Sequence, residues 1–291
     1  MTNDQMESAR PLPDASAPRL HAHLAGIALK SAGPERAVRF YCDALGYAGQ
    51  WTDAGWTGFL GARGLTISRG ATKAVDHVAY ALHDAEGVAQ LKERLSAAAV
   101  NFEAVYDSPL IGDGIRFRDP DGNMLLLGVA RSDIGATSPD EARLQHAVFA
   151  SDNTPAMVRF YCDVVGFAPS DYVKDNDGDL TSAFLRCSAE HHSLAIFRAP
   201  EKRLDHLCYD IESWMQMRDW GDRFATHDIP LRWGPGRHGP GNNLFLFVSD
   251  PDGNWLEFSA ELEQVEGTRP VKLWAHEQRT LNSWGTAFMR S

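Results

Sequence analysis

An internal repeat constrains the fold of this 291-residue chain more than any other feature of its sequence. The segment RFYCDALGYA at 39–48 returns as RFYCDVVGFA at 159–168, an offset of 120 residues. Asp76-His77 returns as Asp205-His206 at an offset of 129, and DPDGN at 119–123 returns at 250–254, an offset of 131. Three matches in the same order, with slowly growing offsets, indicate a duplicated unit with small insertions.

The repeat and the composition together divide the chain into five regions. Residues 21–131 and 143–262 form two related domains, and a turn-rich linker at 132–140 joins them. Residues 1–20 are polar and rich in Pro, Ala and Ser, which predicts a disordered N-terminal arm. Residues 263–291 are too aromatic for a disordered tail, so we expect them to pack on their own domain or on a neighbouring subunit.

Each half has the element order of two successive βαβββ units. An apolar strand leads into a short helix with a proline in its first turn (Pro34 or Pro155) and a glycine suited to its C-cap (Gly46 or Gly166). Further strands and a second helix, 85–97 or 213–226, follow. The DPDGN sequence is a turn before the closing strand. The sequence therefore predicts an α+β fold of tandem βαβββ modules.

Two histidines and a glutamate in the second half are candidate metal ligands. His146, His206 and Glu257 lie on three separate apolar segments that are predicted strands. A buried glutamate without a partner is costly, and a cation would offset that cost. Two neutral imidazoles and a carboxylate are the ligand set of non-haem Fe(II) oxygenases, and the same set suits Mn(II). Considered alone, each of the three residues could instead be an ordinary polar side chain on an edge strand or on the solvent-facing side of a strand.

The repeat offers an internal comparison for these three ligands. Aligned through the shared segments, the first half carries in the same places Gly26, His77 and Leu126. It keeps one ligand type of three and cannot chelate a metal. We therefore predict a metal site in the second half alone.

The repeat, its modules and the residues around Glu257 resemble the vicinal oxygen chelate superfamily, and within it the two-domain type I extradiol ring-cleaving dioxygenases. The likeness covers about residues 21–262, and the pattern G-x-H-x7-L-F-x2-D-P-x-G-x3-E that ends at Glu257 is long and specific. The resemblance implies two barrel-like domains, with iron in the C-terminal one. It also implies a small aromatic substrate and O2.

The resemblance assigns roles to two further histidines. His192, the second residue of HHSLAIF, corresponds to the family's acid/base histidine beside the O2 site, and strand alternation points His191 the other way, toward solvent or an interface. A histidine with a pKa near neutrality can receive and return a catechol proton. His238 lies in a Gly/Pro-rich loop and corresponds to a histidine that hydrogen-bonds a substrate hydroxyl. Surface positions are the alternatives for both.

Phe247 departs from the family pattern, which has a tyrosine there. That tyrosine hydroxyl helps to orient or deprotonate the bound catechol, and phenylalanine cannot make its hydrogen bond. Three interpretations follow: catechol cleavage with His192 and His238 carrying the proton transfers, a substrate other than a plain catechol, or metal-dependent binding without ring cleavage. Tyr172 is predicted to line the mouth of the pocket.

Composition narrows the partners and the compartment. The net charge of -11 disfavours nucleic acid and anionic membranes, which reward Lys and Arg stripes. The sequence contains no run of 18 apolar residues, so we expect no membrane-spanning segment. Four cysteines without a CxxC pair predict reduced thiols in a cytoplasmic protein.

The sequence thus predicts a cytoplasmic Fe(II)-dependent extradiol dioxygenase, a homo-oligomer that cleaves a catechol-like ring in aromatic-compound degradation. One alternative is a metal-dependent isomerase or lyase akin to glyoxalase, which consumes no oxygen. Another is a protein that sequesters a small molecule, like the bleomycin-binding members of the superfamily. Measurements of metal content and of O2 uptake distinguish these three functions.

Overall fold

The first half forms one sheet with two helices on it. A computed structural model of the chain describes residues 10–131 and 141–289. In the first half its elements are β1 (Ala22–Ser31), α1 (Pro34–Phe40), β2 (Ala48–Thr52), β3 (Gly55–Leu60), β4 (Arg63–Arg69), β5 (Ala74–Leu82), α2 (Ala85–Ala97), β6 (Glu103–Val105), β7 (Gly114–Arg118) and β8 (Met124–Val129). The eight strands lie in the order β2-β3-β4-β1-β5-β8-β7-β6.

The second half repeats this arrangement and adds one strand from the tail. Its elements are β9 (Arg143–Ser151), α3 (Thr154–Arg159), β10 (Ala168–Lys174), β11 (Leu180–Arg186), β12 (Leu194–Arg198), β13 (Arg203–Asp210), α4 (Trp214–Thr226), β14 (Trp233–Arg237), β15 (Leu244–Ser249), β16 (Trp255–Ala260), β17 (Lys272–Ala275) and α5 (Gln278–Leu281). The strand order is β14-β15-β16-β13-β9-β12-β11-β10-β17.

Each sheet joins two βαβββ modules through their first strands. In the first half β1 pairs parallel with β4, β5 pairs parallel with β8, and β1 and β5 meet antiparallel. The second half pairs β9, β12, β13 and β16 in the same way. The predicted α+β class of tandem βαβββ modules is confirmed. The central strands of the second sheet, β9, β13 and β16, are those that carry the three candidate ligands.

The helix ends follow the predicted chemistry. Helices α1 and α3 each continue into a π-helical turn, Tyr41–Leu45 and Phe160–Val165. Gly46 and Gly166 end these turns with φ of 93° and 105°, a left-handed conformation that costs glycine no Cβ clash. Helix α2 spans the predicted 85–97, and Ser213 caps α4 by accepting from the Gln216 N–H.

The two halves share one hydrophobic core and exchange matching contacts. The Tyr41 hydroxyl of the first half donates to Asp250 Oδ2 of the second at 2.9 Å. The Tyr161 hydroxyl of the second half donates to Asp119 Oδ2 of the first, also at 2.9 Å. Both aspartates open a DPDGN turn, so each half's first helix is tied to the other half's closing turn.

The described part of the N-terminal arm is ordered, which corrects the expectation of disorder for residues 10–20. Leu20 is buried, and the N–H groups of Arg19 and Leu20 both donate to the Gly166 carbonyl. The Pro13 carbonyl accepts from the Tyr172 hydroxyl at 2.8 Å. Composition alone missed these partners because they belong to the second half. Residues 1–9, and the linker predicted at 132–140, lie outside the described residues.

The C-terminal tail packs on its own half. Strand β17 extends the sheet beside β10, and α5 then crosses the loop after β14. The Gly239 N–H donates to the Thr280 carbonyl, and the Ser283 N–H donates to the Arg237 carbonyl. Among the described helices, none combines the length and apolarity that crossing a membrane requires.

Candidate metal centre and its surroundings

The three predicted ligands meet in the interior of the second half. Glu257 Oε2 lies 3.4 Å from His146 Nε2 and 3.2 Å from His206 Nε2. The ligand atoms of the three side chains all lie within 4.8 Å of one another, and all three residues are buried. Strand pairing explains the meeting, because Cys208 is the partner of both His146 and Glu257 on its two sides.

Two β-bulges hold the ligand imidazoles in place. Gln145 on β9 and Asp205 on β13 are the unpaired extra residues where the register of these strands shifts. A bulge lets neighbouring side chains face the same way, which regular alternation forbids. Gln145 Oε1 lies 2.6 Å from His146 Nδ1, and Asp205 Oδ1 lies 2.7 Å from His206 Nδ1.

These contacts make the centre suited to a cation. Carboxylate and amide oxygens accept hydrogen bonds, so the protons of both neutral imidazoles sit on Nδ1 and the Nε2 lone pairs face Glu257. In that neutral state two lone pairs and a carboxylate converge in a buried space, where a proton or a cation between them relieves their repulsion. A divalent metal ion satisfies all three, and the Nδ1 partners are the outer contacts that metal-binding histidines usually have.

Burial and charge act against each other on these groups. Burial acts to raise the pKa of Glu257, but the histidines His146, His206 and His238 around it hold that pKa well below its ordinary value. Burial lowers the pKa of His146. Burial also opposes protonation of His206, yet Asp205 and Glu257 together raise its pKa. The centre therefore keeps an ionised carboxylate as a ligand.

His192 lies beside the ligands and His191 lies behind it. The His192 and His146 ring centroids are 4.2 Å apart. Burial lowers the pKa of His192 well below its ordinary value. His191 is fully buried, which corrects its expected position at solvent or an interface. The reason is that both residues precede β12, where no pleat imposes alternation.

His238 reaches the centre from the loop after β14. Its Nε2 lies 3.5 Å from Glu257 Oε1, and its ring stacks on Phe245 with centroids 4.0 Å apart. Its Nδ1 is hydrogen-bonded to the carbonyl of Leu281 in the tail. Asn243 also faces the carboxylate and donates from Nδ2 to Glu257 Oε1 at 3.1 Å.

Aromatic side chains wall the pocket over the centre. Phe247 is buried and its ring meets His206 edge-on at 5.2 Å, in the place predicted for it. Other aromatic residues line the same space: Phe184, Phe197, Trp233 and Phe288. The tail supplies His276, Thr280 and Leu281 as well, so the C-terminal segment helps to close the pocket.

Tyr172 does not lie at this pocket, contrary to the prediction. It is buried on β10, and its hydroxyl is turned to the Pro13 carbonyl of the N-terminal arm. This hydrogen bond could not be predicted from the residues near Tyr172, because Pro13 lies 159 residues away in the chain.

The first half has the same strand pairing as the metal centre but lacks two of its three ligand residues. Strand pairing places Ala79 between Gly26 and Leu126, as Cys208 stands between His146 and Glu257. His77 still has an aspartate at Nδ1, since Asp76 Oδ2 lies 3.0 Å away. Its Nε2 meets no hydrogen-bond partner among the described residues. The alignment of the two halves made from the sequence thus has the register seen in the sheets.

Sequence reasoning missed Gln145, Asp205 and Asn243 as partners of the ligands. One signal was present for the first two, because a side chain with an acceptor oxygen directly precedes each ligand histidine. The tail residues gave no such signal, since nothing in residues 276–288 shows which surface they cover.

Comparisons with known proteins agree with this geometry. Residues 143–258 match the model of the Glyoxalase/Bleomycin resistance protein/Dioxygenase superfamily. An iron-dependent extradiol dioxygenase of Rhodococcus jostii (strain RHA1) is 29% identical over 222 residues, covering 68% of this chain and 73% of its own. The match confirms, for residues 143–258, the superfamily that the pattern ending at Glu257 resembles.

Two further relatives carry manganese in their names. A manganese-dependent 2,3-dihydroxybiphenyl 1,2-dioxygenase of Geobacillus genomosp. 3 is 26% identical over 280 residues, covering 82% of this chain and 88% of its own. The crystal structure of a Mn(II)-bound glyoxalase from Novosphingobium aromaticivorans superposes with a TM-score of 0.79 at 28% identity, covering 95% and 93% of the two chains.

Proposed function

We propose that this chain, whose residues 143–258 belong to the Glyoxalase/Bleomycin resistance protein/Dioxygenase superfamily, is a metal-dependent extradiol dioxygenase that cleaves a catechol-like ring with O2. Its place is in the degradation of aromatic compounds. The observation that carries the proposal is the buried convergence of His146 Nε2, His206 Nε2 and Glu257 Oε2, under an aromatic pocket. Relatives named extradiol dioxygenases, similar over most of the chain, support it.

Fe(II) is the metal we propose, with Mn(II) as the second possibility. Two histidines and one carboxylate leave coordination positions open, and a bound Fe(II) would supply sites there for two adjacent substrate oxygens and for O2. The relatives are named for iron in one case and for manganese in the other, so both metals suit this fold. Metal analysis of protein purified without added metal tests the choice.

The chain's own side chains would then bind and orient the substrate. His238 directs Nε2 into the pocket because the Leu281 carbonyl occupies its Nδ1, so it is placed to hydrogen-bond a substrate oxygen. His192 stands next to the ligand His146 and is placed to take and return a proton. Phe184, Phe197 and the other aromatic walls exclude water from the reacting ring.

The pocket lining suggests a substrate without a charged substituent. The described residues that line the pocket include neither lysine nor arginine. A carboxylated ring would enter this space without a counter-ion, at a cost that an apolar or neutral substituent avoids. Phe247 makes the same wall apolar where a hydroxyl would otherwise meet the ring.

The deciding experiment measures O2 consumption by protein loaded anaerobically with Fe(II), against 3- and 4-substituted catechols. Formation of a yellow ring-fission product is followed in the same cuvette. We expect uptake with yellow product, faster for alkyl- or aryl-substituted than for carboxylated catechols. The His206→Ala variant is the control, because it lacks a ligand and should retain no metal. No uptake by metal-loaded wild type would overturn the proposal.

A second candidate is a redox-neutral reaction akin to that of a glyoxalase. The similarity to the Mn(II)-bound glyoxalase structure favours it, and so does Phe247, which deprives a catechol of a hydrogen-bonding hydroxyl. Such an enzyme would bind Mn(II) tightly, consume no O2 and convert its substrate under argon. Turnover without oxygen would therefore favour this candidate over ring cleavage.

A further inference from the structure

A line of three polar side chains runs from the pocket into the body of the second half. His192 lines the pocket, and its Nδ1 lies 2.9 Å from Nδ1 of His191. On the other side of that ring, His191 Nε2 lies 3.1 Å from Asp171 Oδ1. All three residues are buried, and His191 and Asp171 are both fully inaccessible.

Asp171 is held as a carboxylate at the inner end of this line. Burial acts to raise its pKa, but His191, Arg269 and Trp274 hold that pKa below the ordinary value. Arg269 Nη2 donates to Oδ1 at 2.9 Å, and Trp274 Nε1 donates to Oδ2 at 2.7 Å. The nearby negative charge stabilises a proton on the imidazole nitrogen that faces it, so it favours a proton on His191 Nε2 through charge rather than through an aligned hydrogen bond.

The carboxylate sets the protonation of both rings in turn. Neutral His191 with its proton on Nε2, toward Asp171, has an unprotonated Nδ1. That Nδ1 is the acceptor in the contact with His192, so His192 donates from Nδ1. The remaining nitrogen of His192, Nε2, is left unprotonated on the side of the pocket. The contact between His191 Nε2 and Asp171 is bent rather than straight, since Nε2 lacks a well-aligned acceptor in this structure.

We propose that Asp171 and His191 are positioning residues for His192, which they hold in the tautomer that presents a bare Nε2 to the substrate. The catalytic consequence rests on the proposed ring cleavage, whereas the tautomer itself does not. The arrangement parallels the aspartate of a serine-protease triad, which orients its histidine and fixes the tautomer without taking the proton. Here a second histidine stands between the carboxylate and the working ring.

A purely structural role explains these residues poorly. An apolar side chain at 191 would fill the same space without the desolvation of a buried imidazole, and Asp171 would keep Arg269 and Trp274 as partners. The position is also enforced by the backbone, because the His191 N–H donates to the Glu263 carbonyl at 2.9 Å. The rings of His191 and His192 meet nearly perpendicular, with an interplanar angle of 89°.

The first test reads the tautomer directly. Histidine-selective ¹⁵N NMR on the full-length protein, with and without diamagnetic Zn(II), distinguishes a protonated from an unprotonated ring nitrogen, and a His192→Gln variant assigns the signals. We expect His192 to be protonated at Nδ1 and bare at Nε2. The reverse tautomer would overturn the proposal, whatever reaction the protein catalyses.

A matched pair of variants separates positioning from packing. His191→Phe keeps the ring volume and removes the acceptor, so His192 should lose its fixed tautomer. His191→Asn places an amide oxygen near the former Nδ1, so the tautomer should be kept. An unchanged tautomer in the folded Phe variant would contradict the inference, and so would equal loss in both variants.

Kinetics supply the second readout. We expect kcat of His191→Phe to fall about 10²-fold or more with KM little changed, since general acid–base catalysis contributes about 10²–10⁴-fold. His191→Asn should recover most of that loss. If the wild type cleaves no catechol, ring cleavage is refuted, and the NMR result still decides on the positioning role. A fall in KM and kcat alike in both variants would refute the role itself.

Discussion

Replacing Glu257 with the residue that the first half carries at the same place should stabilise the metal-free protein and abolish metal binding. Leu126 is the counterpart of Glu257 in the strand register, and it is buried in an apolar cluster. Glu257 is only 2% exposed, so its carboxylate is removed from water and faces two buried imidazoles. Without a metal, only protonation of the buried imidazoles can compensate it, and burial opposes that protonation.

The size of the effect can be bounded. With the facing imidazoles neutral, replacing this lone buried carboxylate by an apolar side chain recovers part of a desolvation penalty that is on the order of several kcal/mol per ion. Asn243, which donates to Glu257, keeps a second acceptor in Ser259 Oγ at 2.8 Å and is not left without a partner. A metal at 100 times its Kd stabilises the wild type by about 2.7 kcal/mol, and the Glu257→Leu variant gains none of this.

The difference in unfolding free energy between the wild type and the Glu257→Leu variant should therefore narrow or reverse when metal is added. Urea unfolding in EDTA should show the variant as the more stable protein, and unfolding with excess Fe(II) or Mn(II) should narrow or reverse the difference. Leu126→Glu is the matched control: it should destabilise the protein and gain nothing from metal, because Gly26 offers no ligand. A Glu257→Leu variant that is less stable in EDTA, or that is still stabilised by metal, would refute the reasoning.

Two further predictions concern the C-terminal tail and the loss of folding stability at acid pH. Ending the chain at Ala275 should leave metal affinity unchanged but lower kcat/KM about tenfold or more, because His238 loses the Leu281 carbonyl that fixes its ring. Metal titration and steady-state kinetics test this prediction, and an unchanged kcat/KM would contradict it. Burial, with Arg63 and Arg143, lowers the pKa of His23 to about 4. The unfolded chain therefore binds more protons between about pH 4 and 6.5, so stability is complete above that window and is lost as pH falls through it. His23→Gln should flatten this loss, by at most about 3 kcal/mol, in urea unfolding at a series of pH values; an equally steep loss in the variant would contradict the assignment.

The parts of the fold that local chemistry determines were predictable from the sequence. Helix α2 and the glycine ends at Gly46 and Gly166 follow from apolar spacing and from backbone conformations that favour glycine. The repeat predicted the register of the ligands, because a duplicated unit places equivalent residues at equivalent points of the two sheets.

Features that depend on distant partners could not be predicted in the same way. The bulges at Gln145 and Asp205 are properties of a strand pair, so neither strand reveals them alone. The burial of His191 depends on a carboxylate twenty residues earlier and on the Glu263 carbonyl. The order of residues 10–20 likewise depends on Gly166 and Tyr172, which composition does not reveal.

The exchanged tyrosine–aspartate contacts between the halves bear on the origin of the chain. Each half donates a hydrogen bond from the tyrosine after its first helix to the aspartate of the other half's DPDGN turn. Two identical subunits related by a two-fold axis make reciprocal contacts of this kind. The present molecule is then equivalent to a homodimer whose subunits became covalently joined by gene duplication and fusion. Once joined, the two copies no longer had to share one sequence, so one could lose its ligands while the other kept them. Coexpressed as separate polypeptides, the halves should accordingly find each other and reassemble.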